Sequence, residues 1–505
     1  MTIALERRLA NFRTAGGGAL AQPALAIHAR QVAIGAERLA AEVDGELIRT
    51  PAGTFVRVER RSDVIPIDRQ RLASLPGQPP AHVPLVCLDT ETTGLATAAG
   101  TLAFLVGLGW WEGAHFRQIQ LLLPDHADEP ALLNELRRHI PAAGWLVTYN
   151  GRGFDWPLLV ARYRMAGSPA PDHAGHLDLL PVVRRLFRHR MPDARLQTAE
   201  THLLGLRRHD DVPGWEIPAR YLQFLRDGEP ASLVKIVTHN DEDVRSLARV
   251  MAYVDHELGD REARVTAPPG DLAGLARSFS SHGQLEDALD CIDIALRSTA
   301  AAPVAPPGHQ PETTTHAVRE EDDAWWSPRR RPDYGGRPGR ISSGTTWGAV
   351  SDDRLHSAWT SQRFRLDRAR LLRRLGRYTE AEGAWIELAD AGGALGALAW
   401  TEIAKLREHR LGDLQAALAA TMAALRLLER ARHTGRATAA AERDLARRAT
   451  RLRHRIARRA IRLGRHEPRS TRGRGPQDEV ESTIARGPVI DRRRRSAMAS
   501  SVGTP

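Results

Sequence analysis

Two hydrophobic periods alternate along the chain. Leu85–Leu88 is a short unbroken apolar run, the pattern of a strand covered on both faces. Thr101–Trp111 and Phe116–Leu123 are further strand-like runs with Glu112-Gly113 as the turn between them, and Trp145–Tyr149 makes a fourth. Asp128–Ile140 and Trp156–Met165 take helical spacing, with Pro157 in a first turn where its missing N–H costs nothing. Ser232–Leu258 is the longest periodic stretch; Leu233, Ile236, Val237, Val244, Leu247 and Val250 keep a helical apolar face. A short meander followed by strands alternating with helices predicts an α/β unit, bounded at residues 84–258.

The flanks read differently. Residues 1–83 form a small N-terminal region with a helix near Ala33–Leu39 and a hairpin after Gly45, turning at Pro51-Ala52-Gly53. Residues 270–298 have the spacing of a helical hairpin. Residues 299–350, rich in Pro, Gly, Thr and Arg, read as a disordered linker. Helical spacing resumes over 351–464. There Gly376-Arg-Tyr-Thr-Glu-Ala and Gly412-Asp-Leu-Gln-Ala-Ala stand 36 residues apart, close to the tetratricopeptide period of about 34. These tetratricopeptide-like helices are expected to offer a surface to a protein partner. Residues 431–463 read as a basic helix and 465–505, with Arg492–Arg495, as a disordered basic tail.

Composition narrows the class. A chain of 505 residues exceeds one ordinary domain of about 150. The net charge of +11 favours a polyanionic partner, nucleic acid before membrane, although almost all the basic residues are Arg, as a GC-rich genome would also produce. Two cysteines, Cys87 and Cys291, make neither a metal cluster nor a disulfide framework. No apolar stretch is long enough to span a bilayer, and no secretory signal is visible at the N-terminus, so the expected location is cytoplasmic.

Three acidic stations carry the candidate chemistry. Asp89-Thr90-Glu91 follows the buried run, and residues two apart on a strand share a face. Asn150-Gly-Arg-Gly-Phe-Asp155 joins a strand to a helix; alone, Asp155 reads as a helix cap. His239-Asn-Asp-Glu-Asp243 lies within the longest helix, where the four-residue spacing puts His239 and Asp243 on one face and leaves Asp241 and Glu242 as solvated charge. Taken together, the stations are what two-metal phosphodiester cleavage needs, with carboxylates shared between two Mg²⁺ or Mn²⁺ ions.

These stretches resemble the DEDD superfamily of ribonuclease-H-like 3′–5′ exonucleases, and more narrowly its YprB-type domain. The resemblance runs through Leu88–Leu95, Gly100–Gly109, Tyr149–Leu159 and His239–Leu247, with His176-Leu-Asp-Leu-Leu and Asp210-Asp-Val-Pro-Gly beside them. It implies a mixed sheet flanked by helices, hydrolysis at nucleic-acid 3′ ends, and Asp89, Glu91, Asp155 and Asp243 as metal ligands. His239 would position or deprotonate water, at the four-residue spacing of the tyrosine-type members. Thr90, Asn150 and Phe104 are carried as substrate contacts; turn-fixing is the alternative for Asn150 and core packing for Phe104. Asp178 reads as a cap or a site residue, and Arg207 and Arg208 as phosphate contacts or solvated charge. An internal RNA nuclease on the same fold and an inactive binding adaptor are the rival functions.

Overall fold

The computed structural model describes residues 33–94, 100–301, 353–432 and 439–464. The expected hairpin forms as β1 (Glu46–Thr50) and β2 (Gly53–Val64). It does not stand apart, because β2 pairs antiparallel with β5 (His115–Leu122) and extends the sheet of the α/β unit. β5 pairs antiparallel with β4 (Ala103–Glu112), and β4 with β3 (Leu85–Thr92). On the far side of β3, β6 (Trp145–Thr148) and β7 (Gly175–Asp178) add in parallel. The described residues thus make a seven-stranded mixed sheet in the order β1-β2-β5-β4-β3-β6-β7. Only β7 was unforeseen, since four residues reading Gly-His-Leu-Asp carry too little alternation to mark a strand.

Helices cover both faces. On one, α1 (33–42), α3 (Glu129–His139), α4 (Asp155–Met165) and α7 (Ile217–Asp227) surround Val86, Phe104, Val106 and Leu121; the small helix α2 (Arg69–Ala73) precedes β3. On the other, Leu85, Cys87, Phe116 and Val147 meet α5 (Leu179–Phe187) and the second half of α8 (Ala231–Leu258). The short α6 (Leu196–Ala199) runs into a π-turn, Glu200–Leu204. Over β4 and β5 the first half of α8 rides on small and polar residues. A Cβ at Gly107 would stand 2.3 Å from Asn240 Oδ1, so only glycine lets the helix come this close. Gln118 Nε2 donates to the Asp241 carbonyl at 2.9 Å, and Gln120 Nε2 donates to the Val237 carbonyl at 2.7 Å. These bonds satisfy amides that would be costly to bury alone.

The second core continues into the all-helical region. After α9 (Arg261–Thr266), α10 (Pro269–Ser281) rests on α5, and Leu272, Leu275 and Phe279 extend the apolar layer begun by Val183, Leu186 and Phe187. Neighbouring helices then pack in series: α11 (Leu285–Ala301), α12 (Asp353–Arg374), α13 (Tyr378–Ala389), α14 (Gly393–Leu406), α15 (Leu414–Arg432) and α16 (Ala439–Gly464). Gly283, Gly376 and Gly412 occupy equivalent turns, with φ of 83°, 78° and 73°. The expected basic helix forms as α16 over Ala439–Gly464. Its Arg448, Arg451 and Arg455 converge on the buried Glu408 carboxylate at 2.5, 2.9 and 2.7 Å. The expected linker, apart from residues 299–301 at the end of α11, and the expected tail lie outside the described residues. No described helix is long and apolar enough to cross a membrane.

Candidate active site

The site lies where β6 parts from β3. β6 pairs with β3 only at Leu85–Cys87, so the last residues of β3 run past it alongside α8. Strand alternation turns Asp89 and Glu91 to the α8 face. From α8, Asn240 Nδ2 donates to Asp89 Oδ2 at 2.9 Å and is itself held by Gln120 at 3.0 Å. His239 and Asp243, one helical turn apart, reach the same space. Ligand atoms of Glu91, His239 and Asp243 lie within 4.8 Å of one another, a group that could hold a metal ion.

The turn after β6 brings the remaining carboxylate. Asn150 takes a left-handed φ of 67°, and its N–H donates to Asp178 Oδ1 at 2.8 Å. Asp178 also caps α5, so both of its sequence readings meet in one carboxylate that braces the turn. Gly151 is required next, because a Cβ there would stand 2.9 Å from Asp155 Oδ2. Asp155 is the first residue of α4, and Phe154, not Asp155, stands at the N-cap position. Its carboxylate accepts the Thr90 hydroxyl, so the helix-cap reading gives way to a carboxylate turned toward β3.

Other assignments change as well. The Thr90 hydroxyl, carried as a substrate contact, is spent on Asp155. Phe104, carried as a base-stacking ring, is fully buried and stacked on Tyr221 with ring centroids 3.9 Å apart, so packing takes it. Asp241 is buried beside Arg245 at 2.8 Å, not solvated; Glu242 stays partly exposed. Arg208 is buried too. Its Nε and Nη2 donate to Glu200 at 2.8 and 2.5 Å, and Nη2 also reaches Asp243. Glu242 and Asp211 stand 3.5 and 3.6 Å from the same guanidinium.

Asp211 completes the arrangement. Its Oδ1 lies 2.5 Å from His239 Nδ1. Burial works to raise the Asp211 carboxyl, but the bond to His239 and the nearby Arg208 outweigh it and hold the group below the usual carboxylate range. An ionised carboxylate can only accept, so Nδ1 carries the proton and Nε2 faces Asp243 Oδ2 at 3.5 Å and Glu91 Oε1 at 3.8 Å.

The charge balance is negative. Burial, then the charges of Asp243 and Asp155, push both Asp89 and Glu91 well up. Burial raises Asp243 against the pull of His239 and Arg208, and it lifts Asp155 to about 6. One guanidinium and one imidazole do not compensate this many buried carboxylates. An oxygen-rich set with uncompensated charge fits a hard divalent cation.

Sequence reasoning missed Asn240 and gave Asp211 no role. Asn240 had a visible signal, since it is a polar residue on the apolar face shared by Ile236, Val237 and Val244. Asp211 lay in a stretch already singled out, but its partner on α8 is 28 residues away and no local pattern announces the pairing.

With the geometry established, the class follows. Residues 86–255 match a family model described as RNase_H superfamily, so this part of the chain is a ribonuclease-H-superfamily domain. A particular relative is the uncharacterized protein YprB of Bacillus subtilis (strain 168), 33% identical over 207 residues, or 41% of this chain and 50% of the relative. The chain thus spans about half the length of the curated relative it matches.

Proposed function

We propose that the chain is a metal-dependent 3′–5′ exonuclease, with Asp89, Glu91, Asp155 and Asp243 as cation ligands and His239 as the base. A pair of bound divalent ions would supply an activated water and charge stabilisation at the leaving oxygen. The observation that carries the reading is the Asp211–His239 pair. The Asp211 carboxylate keeps the proton on Nδ1 and leaves Nε2 beside Glu91 and Asp243, free to accept a proton from an attacking water. Asn240 fixes Asp89, and the Thr90 hydroxyl fixes Asp155. Arg208 holds Asp243 through a guanidinium that Glu200 orients. These partners set carboxylate positions before any ligand arrives.

Oligonucleotides labelled at the 5′ end provide the test, as DNA and RNA, single- and double-stranded, with Mg²⁺ or Mn²⁺ and with chelator. The expected result is a ladder shortening from the 3′ end only when metal is present. Internal fragments at the earliest time would indicate an endonuclease on the same scaffold. Intact substrate under every condition would leave the domain a binding module.

A further inference from the structure

Residues 205–216, between the π-turn and α7, face two ways. The inward side chains are Arg208, engaged with Glu200 and Asp243; Asp211, engaged with His239; and Val212, 2% exposed. Arg207, His209 and Trp215 face outward. Trp215 is 73% exposed and is the aromatic member among the exposed large apolar side chains of the described residues; the others are aliphatic. Its backbone is held. The Glu216 N–H donates to the Pro213 carbonyl at 2.8 Å and closes a turn, with Val212 and Ile217 buried on either side of it.

A lone exposed aliphatic residue needs no special reason. An indole on a braced turn, in a loop tied to the candidate base and a candidate ligand, is a different case. Trp215 is four residues from Asp211, a reach of at most roughly 14 Å, or about four bases at single-strand stacking distance.

We propose that Trp215 is a stacking platform for an unpaired base of the strand whose end enters the carboxylate site, with Arg207 facing the adjoining phosphates. The proposal rests on the nuclease reading above and names its substrate more closely, as an unpaired strand bound without regard to base identity. Every base has a π-face, so stacking on an indole is sequence-tolerant, and it changes affinity by roughly five- to a hundredfold per base. Bases inside a duplex have both faces occupied and cannot use the platform.

Binding separates this proposal from the chemistry. The full-length Asp155→Asn protein, with and without Trp215→Ala or Trp215→Phe, is titrated against a fluorescent single strand and its duplex while anisotropy is followed. Trp215→Ala is expected to weaken single-strand binding about tenfold and duplex binding by less, and Trp215→Phe to recover most of the loss. Abasic substitution through the last few 3′ nucleotides should reveal one position that weakens the parent as much as Trp215→Ala does and adds nothing in that variant. Equal single-strand affinity of the parent and Trp215→Ala, or no sensitive abasic position, overturns the platform and leaves the nuclease reading standing. Failure of the parent to bind any oligonucleotide overturns both.

Discussion

The Asp211 carboxylate meets His239 Nδ1 at 2.5 Å, and this contact determines which ring nitrogen faces Glu91 and Asp243. Asp211→Asn can offer its amide N–H to Nδ1 and so favour the other tautomer, with the proton on Nε2. Turnover is expected to fall by roughly a hundredfold or more, within the range of a lost general base. Divalent-cation affinity, measured by calorimetry, should change much less. An unaltered rate would remove the orienting role of Asp211.

Asp155→Asn separates catalysis from stability. The Asp155 carboxyl is raised by burial from 3.8 to about 6, so between these values the folded protein keeps a proton that the unfolded chain has released. The contribution of this group to metal-free stability therefore falls as pH rises from about 4 to about 6 and is level above, by on the order of 3 kcal/mol. Without metal, the variant should melt higher than the parent at pH 8, and the two should converge near pH 4. Its turnover should drop roughly a hundredfold or more as a transition-state stabiliser is lost. Thermal melts with chelator at both pH values check the first outcome, and rates with saturating metal the second.

Arg208 holds a carboxylate that has little water to turn to, since Glu200 is 2% exposed. Arg208→Ala leaves that charge buried without its partner and should cost about 3–5 kcal/mol of unfolding free energy. Arg208→Met combined with Glu200→Gln removes both charges and should recover most of the loss. Urea unfolding of the single and double variants tests this. Equal stability of the two would mean that Glu200 finds another partner.

The helical region is joined to the sheet by apolar contact and by a buried carboxyl group that burial raises to about 7. Asp271 in α10 is fully buried, with Arg190 Nη2 at 3.0 Å and His189 Nε2 at 3.2 Å. A chain ending after Ala301 keeps this junction, whereas one ending after Leu258 strips cover from Val183, Leu186 and Phe187. The longer piece is expected to melt cooperatively and keep nuclease activity on short oligonucleotides. The shorter one should melt several degrees lower or aggregate. Calorimetric melts of both pieces decide the matter.

Local pattern alone determined a good deal of this protein. The run before Asp89, the alternation that pairs Asp89 with Glu91 and the four-residue step from His239 to Asp243 follow from side-chain directions within single elements. The helical hairpins around Gly376 and Gly412 were legible for the same reason. Tertiary structure decided what these patterns could not express. Taken alone, Asp155 reads as a helix cap, and only the fold brings the end of β3 to it with the Thr90 hydroxyl. Gln118 and Gln120 are polar positions in a strand-like run, and α8 covers them. Arg208 reads as a phosphate contact or solvated charge, and Asp211 has no role, until their loop folds onto Asp243 and His239. In each case the partner lies in another element, and its arrival replaces water with one directed contact, which decides the role of the side chain.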